Sequence, residues 1–204
     1  MALSVRYLIP AQETRVEIRV SNSRFIATAA YAPTVDEAKA FIARVRGEFA
    51  DATHNVFAYV VGFGATTTLG ASDDGEPGGT AGRPALAVLQ GSGLGDVAVV
   101  VTRYFGGTLL GTGGLVRAYG DAVRTVLAES PRAWKIERRA VLVSLPYAQY
   151  AQIKRLVVQH NGAVEHEEFG VDVTLTLVFA VDALPAFANQ LQELTAGQVD
   201  VVEV

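Results

Sequence analysis

The first third of the chain alternates between strand-like and helix-like spacing of its hydrophobic residues. Residues 15–20 alternate polar and apolar side chains, and residues 24–31 follow a short polar turn, so the pattern predicts a hairpin of two strands. A capping box of the Thr-x-x-Glu type then precedes apolar residues at helical spacing, which predicts a helix over residues 34–50. The mostly apolar run at 54–63 is typical of a central strand.

Glycine dominates the next segment. Residues 62–114 contain 15 of the 20 glycines of the chain. Within this segment we expect a helix over 81–90, with its proline in the first turn, and a short buried strand over 97–102. A loop over 103–114 should then lead into a helix over 115–129.

The last third of the chain has a regular order of elements. A break at residues 129–132 marks a domain boundary, so we expect one domain at 1–132 and a second at 137–204. The order strand, helix, strand, strand, helix, strand is the ferredoxin-like arrangement, and the fold class is therefore α+β with two domains. The expected elements are strand 138–145, helix 147–160, strands 163–169 and 171–180, helix 183–195 with Asp182 as its N-cap, and strand 198–203.

Composition and charge limit the possible chemistry. The 204 residues suffice for two domains, and the chain has no cysteine, which excludes disulfides and thiolate chemistry. Residues 1–134 hold 12 basic and 12 acidic side chains, and residues 135–204 hold 5 and 9, so the second part accounts for the net charge of −4. A basic footprint over the whole chain is missing, and any contact with nucleic acid must be local.

The N-terminal sequence MALSVRYLIPAQ has no apolar run of signal-peptide length. No stretch of the chain approaches the roughly 18 apolar residues of a membrane helix. We therefore expect a cytoplasmic protein without a membrane partner.

The glycine-rich segment lacks the usual phosphate-binding motifs but can still bind an anion. It has neither the lysine of a P-loop nor the spacing of a dinucleotide-binding turn. Residues 112–114 open a helix whose N–H groups and dipole favour an anion, although the dipole contributes only about 0.3–1 kcal/mol. Arg103 and Arg117 are the residues that would supply the rest. The alternative is that both pair with the acids at 73–76 in a structural ion network.

The acids of the loop allow a second kind of chemistry. Asp73, Asp74 and Glu76 could hold Mg²⁺ through oxygen ligands, although adjacent aspartates do not easily point the same way. Catalysis by paired carboxylates is a further alternative, but no nucleophile is evident in the sequence. His54 at the start of a central strand is either a hydrogen-bonding residue or a base.

Two aromatic residues next to Arg103 are compatible with single-stranded nucleic acid. Tyr104 and Phe105 could stack on bases while the neighbouring arginine contacts the backbone. The alternative is that Phe105 belongs to the core and Tyr104 packs over a glycine. The strands of the second domain carry few aromatics and many acids, which argues against an RNA-reading face there.

The two loops also resemble a known family. DDGEPGGTAGRPAL at 73–86 and VVVTRYFGGTLLGTGGLVRAYGDAV at 99–123 resemble the signature of the IMPACT/YigZ family. Further similar segments are SRFIATA (23–29), DEAKAFI (36–42), DATHNVFAY (51–59), YAQYAQIKRLV (147–157), VTLTLVF (173–179) and FANQLQELTAGQV (187–199). The resemblance covers most of the chain and implies the two-domain bacterial branch of that family.

The resemblance implies a fold and a set of site residues. It implies a first domain like the second domain of ribosomal protein S-five, and a second domain like the fifth domain of elongation factor G. The positions that match the family motif should form one surface where the two loops meet, binding an anion, another ligand or nucleic acid. These positions are His54, Asp73, Asp74, Glu76, Arg83, Arg103, Tyr104, Gly106, Gly107, Gly111, Gly113, Gly114 and Arg117.

The resemblance also implies a role near translation, because eukaryotic members of the family restrain a starvation-responsive kinase that controls it. The leading hypothesis is a non-enzymatic binding protein, without metal or cofactor, whose partner is RNA, a ribosomal particle or a translation-related protein. The alternatives are a Mg²⁺-dependent enzyme that acts on a phosphorylated small molecule or nucleotide, and a module that only binds proteins. The sequence leaves the oligomeric state open.

Overall fold

The computed structural model describes residues 6–203, apart from the side chain of Thr66. Residues 1–5, on which part of the signal-peptide expectation rests, lie outside the described residues. The chain forms two compact units. One contains residues 7–135, and the other contains Ile136 onward together with Arg6. Within residues 6–203, no helix is both long and apolar enough to cross a membrane.

The first unit contains a five-stranded antiparallel sheet whose strand order is β2-β3-β6-β4-β5. The β6 strand is central and consists of buried residues except at its last position. It lies between β3 and β4, so it hydrogen-bonds on both sides. The strands of this sheet are β2 (Thr14–Val20), β3 (Ser23–Tyr31), β4 (His54–Val61), β5 (Thr68–Ser72) and β6 (Val97–Tyr104).

Helices cover both faces of this sheet. Apolar side chains of α2 and α3 build the larger core on one face, and α1 builds a smaller core on the other face. Thr34 is confirmed as the N-cap of α1, because its hydroxyl accepts a hydrogen bond of 3.1 Å from the Glu37 backbone N–H. The Glu37 carboxylate reaches back to the Thr34 hydroxyl at 2.8 Å and not to the Thr34 backbone N–H. The helices are α1 (Val35–Glu48), α2 (Gly82–Gly91) and α3 (Gly111–Glu129).

A two-stranded sheet joins the beginning and end of this unit. It pairs β1 (Arg6–Pro10) with β7 (Arg132–Ile136). Beside it, the buried carboxylate of Asp96 accepts hydrogen bonds from the Tyr7 hydroxyl at 2.7 Å and from the Lys135 ammonium group. These contacts hold the two ends of the unit together.

The second unit confirms the ferredoxin-like arrangement. Its antiparallel sheet has the order β11-β8-β10-β9, and the buried side chains of its two helices pack on one face. The α+β fold class and the order of elements are therefore confirmed. The elements are β8 (Arg138–Leu145), α4 (Tyr150–Gln159), β9 (Ala163–Phe169), β10 (Val173–Ala180), α5 (Leu184–Leu194) and β11 (Val201–Glu203).

The structure corrects several details of the sequence-based expectations. Strands β1, β5 and β7 were not expected, because they are short and their residues are mostly exposed or half-buried. Helix α3 begins at Gly111, because the glycines expected in a loop form its first turn. Asp182 does not cap α5. Ala183 occupies the N-cap without a side-chain bond, and Asp182 pairs with Arg6 at 2.5 Å.

Candidate functional site

The register of the central strands brings the first site residues together. Arg103, at the end of β6, lies directly opposite Phe25 of β3 on one side and His54 of β4 on the other. Since directly paired residues share a face of the sheet, these three side chains form a row on one face. Arg103 is only 5% exposed, so its charge needs partners within the protein.

Glu76 supplies the main partner of Arg103. Its Oε1 atom lies 2.6 Å from the Arg103 Nη1 atom, and both side chains are almost fully buried. Arg103 Nη2 also donates to the Ser23 hydroxyl at 3.3 Å, while Arg103 Nε is buried without a partner among residues 6–203. The guanidinium carbon lies 5.4 Å from the ring centres of both Phe25 and Phe105. Arg103 is thus held from several sides, which makes it a fixed part of the site.

Tyr119 of α3 holds Glu76 from a second direction. Its hydroxyl donates to the same Glu76 Oε1 atom at 2.7 Å. Burial raises the pKa of the Tyr119 hydroxyl well above its usual range, and the hydrogen bond and negative charge of Glu76 raise it further. Tyr119 is therefore a permanent donor. The other carboxylate oxygen, Glu76 Oε2, has no hydrogen-bond partner among the residues that the structure describes.

His54 is oriented by the backbone of the acidic loop. Its Nδ1 atom lies 2.8 Å from the carbonyl oxygen of Asp74. Because a carbonyl can only accept, Nδ1 carries the proton, and in the neutral ring Nε2 is an acceptor. His54 Nε2 lies 3.9 Å from Glu76 Oε1, too far for a hydrogen bond.

His54, Glu76 and Arg103 form the floor of a cleft of about 430 Å³. Its rim carries exposed apolar side chains, among them Phe105 at 43% and Leu109 at 88% exposure. The first turn of α3 closes one side through Gly111 and Thr112. This helix has no side-chain cap and no acid in its first turn, so its backbone N–H groups adjoin the cleft without an anion of their own.

Asp73 has a different role, at the start of α2. Its carboxylate accepts backbone hydrogen bonds from Gly79 at 2.8 Å, Ala81 at 3.0 Å and Gly82 at 2.8 Å. Burial alone would raise the pKa of Asp73, but these backbone N–H groups and the charge of Arg83 outweigh it and hold the pKa below its usual value. Asp73 therefore acts as the anion that caps α2.

Asp74 faces a third direction. Its carboxylate accepts hydrogen bonds from Arg46 and from the backbone N–H of Asn55. The backbone turns sharply here, because Asp74 and Gly75 have φ angles of 46° and 85°. Asp73, Asp74 and Glu76 thus have separate partners and do not form the single ligand set that a magnesium site requires. Among residues 6–203, no cluster of three or more acids or histidines could hold a metal ion.

The remaining expected site residues are spread more widely. Tyr104 lies next to Arg103 in the strand, so its side chain is on the opposite face, where its hydroxyl donates to Asp51 at 2.7 Å. Arg83 and Arg117 are exposed and do not line the cleft. The structural ion network, the alternative to anion binding by Arg103 and Arg117, is present for Arg103, which pairs with Glu76, whereas Arg117 has no ion pair within residues 6–203.

The glycines between β6 and α3 have distinct roles. A Cβ atom on Gly106 would lie 1.9 Å from the carbonyl oxygen of Asn22, so only glycine allows the two loops to approach. Gly107 and Gly111 have φ angles of 82° and 68°, which favour glycine at both positions. Gly113 and Gly114 lie in the first turn of α3. Of these glycines, Gly111 lines the cleft.

Sequence reasoning missed three polar contributors to the site. Ser23 contacts the Arg103 guanidinium, Tyr119 fixes Glu76, and the Thr53 hydroxyl accepts the Phe105 backbone N–H at 3.0 Å. Phe105, for which a core position was the alternative, lies on the rim of the cleft. Only the register of the strands could have placed Ser23 near Arg103. Tyr119 has the helical spacing of an ordinary core residue, so nothing in the sequence indicates its contact with Glu76.

The fold and the cleft define a class of protein. Its members have two α+β units, and the first unit contains a cleft with a buried ion pair beneath it. Comparison with known proteins gives the family. The Impact N-terminal domain matches residues 21–127, and a domain of unknown function (DUF1949) matches residues 143–198. The chain belongs to the IMPACT family.

Individual relatives match over most of their length. The chain is 38% identical to the IMPACT family member YigZ of Escherichia coli, covering 97% of this chain and 98% of the relative. It is 37% identical to an IMPACT family member of Haemophilus influenzae, covering 95% and 94%. A crystal structure described as that of a hypothetical protein matches 99% of this chain and 98% of its own, with a TM-score of 0.73 and 37% identity. These likenesses give the family and the fold but not the ligand.

Proposed function

We propose that this protein is a non-enzymatic binding protein whose cleft holds a segment of single-stranded RNA, and that this binding serves the regulation of translation. The observation that carries the proposal is a cleft that joins an exposed aromatic rim to a helix N-terminus without an anion of its own. A nucleotide presents the complementary pair of features, a flat base and a phosphate. The link to translation rests on the resemblance to the IMPACT family.

The rim supplies a surface for a base. The ring centre of Phe105 lies 5.4 Å from the Arg103 guanidinium carbon, and the residue lines the cleft with 43% of its surface exposed. Stacking of a base on such an aromatic residue contributes about 1–3 kcal/mol. Leu109, which is 88% exposed, extends the same apolar surface.

The first turn of α3 supplies the position for a phosphate. Its free N–H groups and positive dipole end favour an anion by about 0.3–1 kcal/mol, so the base contacts must supply the larger part of the affinity. The sequence indicated Arg103 as a ligand for an anion. In the structure its charge is paired with Glu76, so Arg103 stabilises the floor of the cleft.

The contacts of the acids favour binding over catalysis. Asp73 and Asp74 are engaged by backbone and arginine groups, and within residues 6–203 no other group of acids could hold a magnesium ion. Within the described residues, His54 has no hydrogen bond to a hydroxyl, so no activated nucleophile supports an enzymatic alternative.

Fluorescence anisotropy with a labelled single-stranded RNA, in a series of salt concentrations, tests this function. We expect binding that weakens with salt, and a loss of about 5- to 150-fold in affinity for Phe105→Ala, since stacking contributes about 1–3 kcal/mol. Tyr31→Ala is the matched control, because Tyr31 is exposed to a similar extent, 40%, and does not line the cleft. Absence of binding at low salt, or equal effects of both variants, would overturn the proposal.

A further inference from the structure

We propose that the cleft recognises guanine, so that its ligand is a guanine nucleotide unit; this inference rests on the proposed function and names the base that the RNA presents. The observations concern the hydrogen-bonding groups on the floor of the cleft. Glu76 and His54 both line it, and both are fixed by contacts behind them.

The floor has more acceptors than the protein uses. A carboxylate offers about four lone-pair positions, two on each oxygen. Glu76 Oε1 already accepts from Arg103 and Tyr119, whereas Glu76 Oε2 has no partner among the described residues. Although the Glu76 side chain is only 3% exposed, its Oε2 atom is not fully buried and Glu76 lines the cleft. This oxygen is therefore an accessible acceptor for the donors of a ligand.

His54 adds a further acceptor of the same kind. Its Nδ1 proton is directed to the Asp74 carbonyl, so Nε2 of the neutral ring accepts. Nε2 lies 3.9 Å from Glu76 Oε1, so the imidazole acceptor and the Glu76 carboxylate are neighbours on the floor of the cleft. The complementary ligand must present at least two adjacent N–H donors.

Among the four RNA bases, only guanine presents two neighbouring donors on its pairing edge, the N1–H and the N2 amino group. Adenine and cytosine each alternate an amino donor with a ring acceptor, and uracil has one N–H between two carbonyls. A ring acceptor or carbonyl opposite Glu76 Oε2 would face a second acceptor instead of supplying a donor, and a site that hydrogen-bonds donors of the ligand rejects analogues that lack them.

The rest of the cleft agrees with a nucleotide rather than a simple cation. A guanidinium or ammonium group would also satisfy Glu76, but it would leave the apolar rim and the first turn of α3 unused. A guanine nucleotide places its base against Phe105 and a phosphate near Gly111 and Thr112 in one molecule. The volume of about 430 Å³ lies in the range of small-ligand sites.

Isothermal titration with GMP, IMP and AMP tests the base directly. IMP differs from GMP by the N2 amino group alone, and AMP lacks the N1 proton as well. Loss of one hydrogen bond to a charged group weakens binding by about 10- to 100-fold, so we expect GMP to bind more tightly than IMP by that factor, and AMP to bind more weakly still. Equal affinities, or no binding of GMP, would overturn guanine recognition.

The comparison of nucleotides needs no mutation, so it remains decisive if a variant of the floor fails to fold. Glu76→Gln, checked by its melting temperature, should remove the preference for GMP over IMP, whereas Glu17→Gln, an exposed surface change, should keep it. Preferential binding of arginine amide over GMP would also overturn the proposal.

The two proposals can fail separately. RNA binding without a preference for guanine would remove this inference and leave the proposed function standing. Preferential binding of GMP without RNA binding would support guanine recognition and remove the proposed function.

Discussion

Two helices of the first unit begin at glycine-rich loops, but their N-termini are used differently. At α2 the carboxylate of Asp73 accepts the backbone N–H groups of Gly79, Ala81 and Gly82. At α3 no side chain caps the first turn, and Gly111 and Thr112 face a cleft. A glycine-rich loop before a helix is therefore not sufficient to indicate an anion site. What distinguishes the two ends is whether the protein supplies its own anion.

The largest effect should come from the ion pair beneath the open N-terminus. Arg103→Ala leaves Glu76 buried and unpaired, and we expect the free energy of unfolding to fall by about 3–5 kcal/mol in denaturant titrations. Arg117→Ala, which removes an exposed arginine of α3, should stay within about 0.5 kcal/mol of the wild type. Similar small changes for both variants would show that the pair does not hold the floor.

Removing the internal anion at α2 should make the two helix ends alike. Asp73→Ala leaves three backbone N–H groups without their acceptor, and we expect a loss of about 1–3 kcal/mol in the free energy of unfolding. Added sulfate should raise the melting temperature of this variant more than that of the wild type. Asp73→Asn keeps one carbonyl oxygen as an acceptor, so its free energy of unfolding should lie between those of the wild type and Asp73→Ala. Equal responses to sulfate would contradict the assigned role of Asp73.

The opposite change would give α3 an anion of its own. Thr112→Asp places a carboxylate in the exposed first turn, where the dipole and free N–H groups favour it by about 0.3–1 kcal/mol of unfolding free energy. The same carboxylate should compete with a bound phosphate and weaken the RNA binding measured by anisotropy by at least about 2- to 5-fold, the part that the helix N-terminus supplies. Thr112→Asn, which adds no charge, is the control and should keep binding. Unchanged binding in the aspartate variant would place the phosphate elsewhere.

The smallest effect should appear in the pH dependence of stability. Although burial opposes it, the backbone N–H groups around Asp73 lower its folded pKa below the unfolded value of about 3.9. The stabilisation is therefore present above the unfolded pKa and is lost as pH falls through the folded one. Urea unfolding between pH 5 and pH 2 should show the difference between wild type and Asp73→Asn shrinking towards low pH. If the difference in unfolding free energy stayed constant over this pH range, ionised Asp73 would not be the source of the pH-dependent stabilisation.

Local signals predicted most of the fold. The Thr34 capping box, the alternation in the strands and the stop signals of the second unit operate over a few residues, and the structure contains the corresponding elements. Strand β5 (Thr68–Ser72) could not be predicted, since an edge strand with exposed residues needs little hydrophobicity. Its pairing with β4 supplies what its own sequence lacks.

The candidate site was predictable in composition but not in its pairings. Sequence placed His54, Glu76 and Arg103 in one set, and the structure brings them together. Three acids lie within four residues, and the left-handed backbone at Asp74 and Gly75 sends their side chains to different partners. Tyr119 was not predicted because its role depends on where α3 meets the acidic loop. Such a contact joins residues 43 positions apart and leaves no local pattern.

The pairing of β1 with β7 means that the chain enters and leaves the first unit at one place. Tyr7 and Lys135, the two ends of this unit, share the carboxylate of Asp96. A segment whose ends are already adjacent loses little loop-closure entropy when both are attached to neighbouring points of another scaffold. Residues 7–135 thus have the geometry of a domain that can be inserted into another protein. A surface turn of an unrelated host protein could carry the whole cleft, and joining the two ends while opening the chain at another surface loop would give a circular permutant.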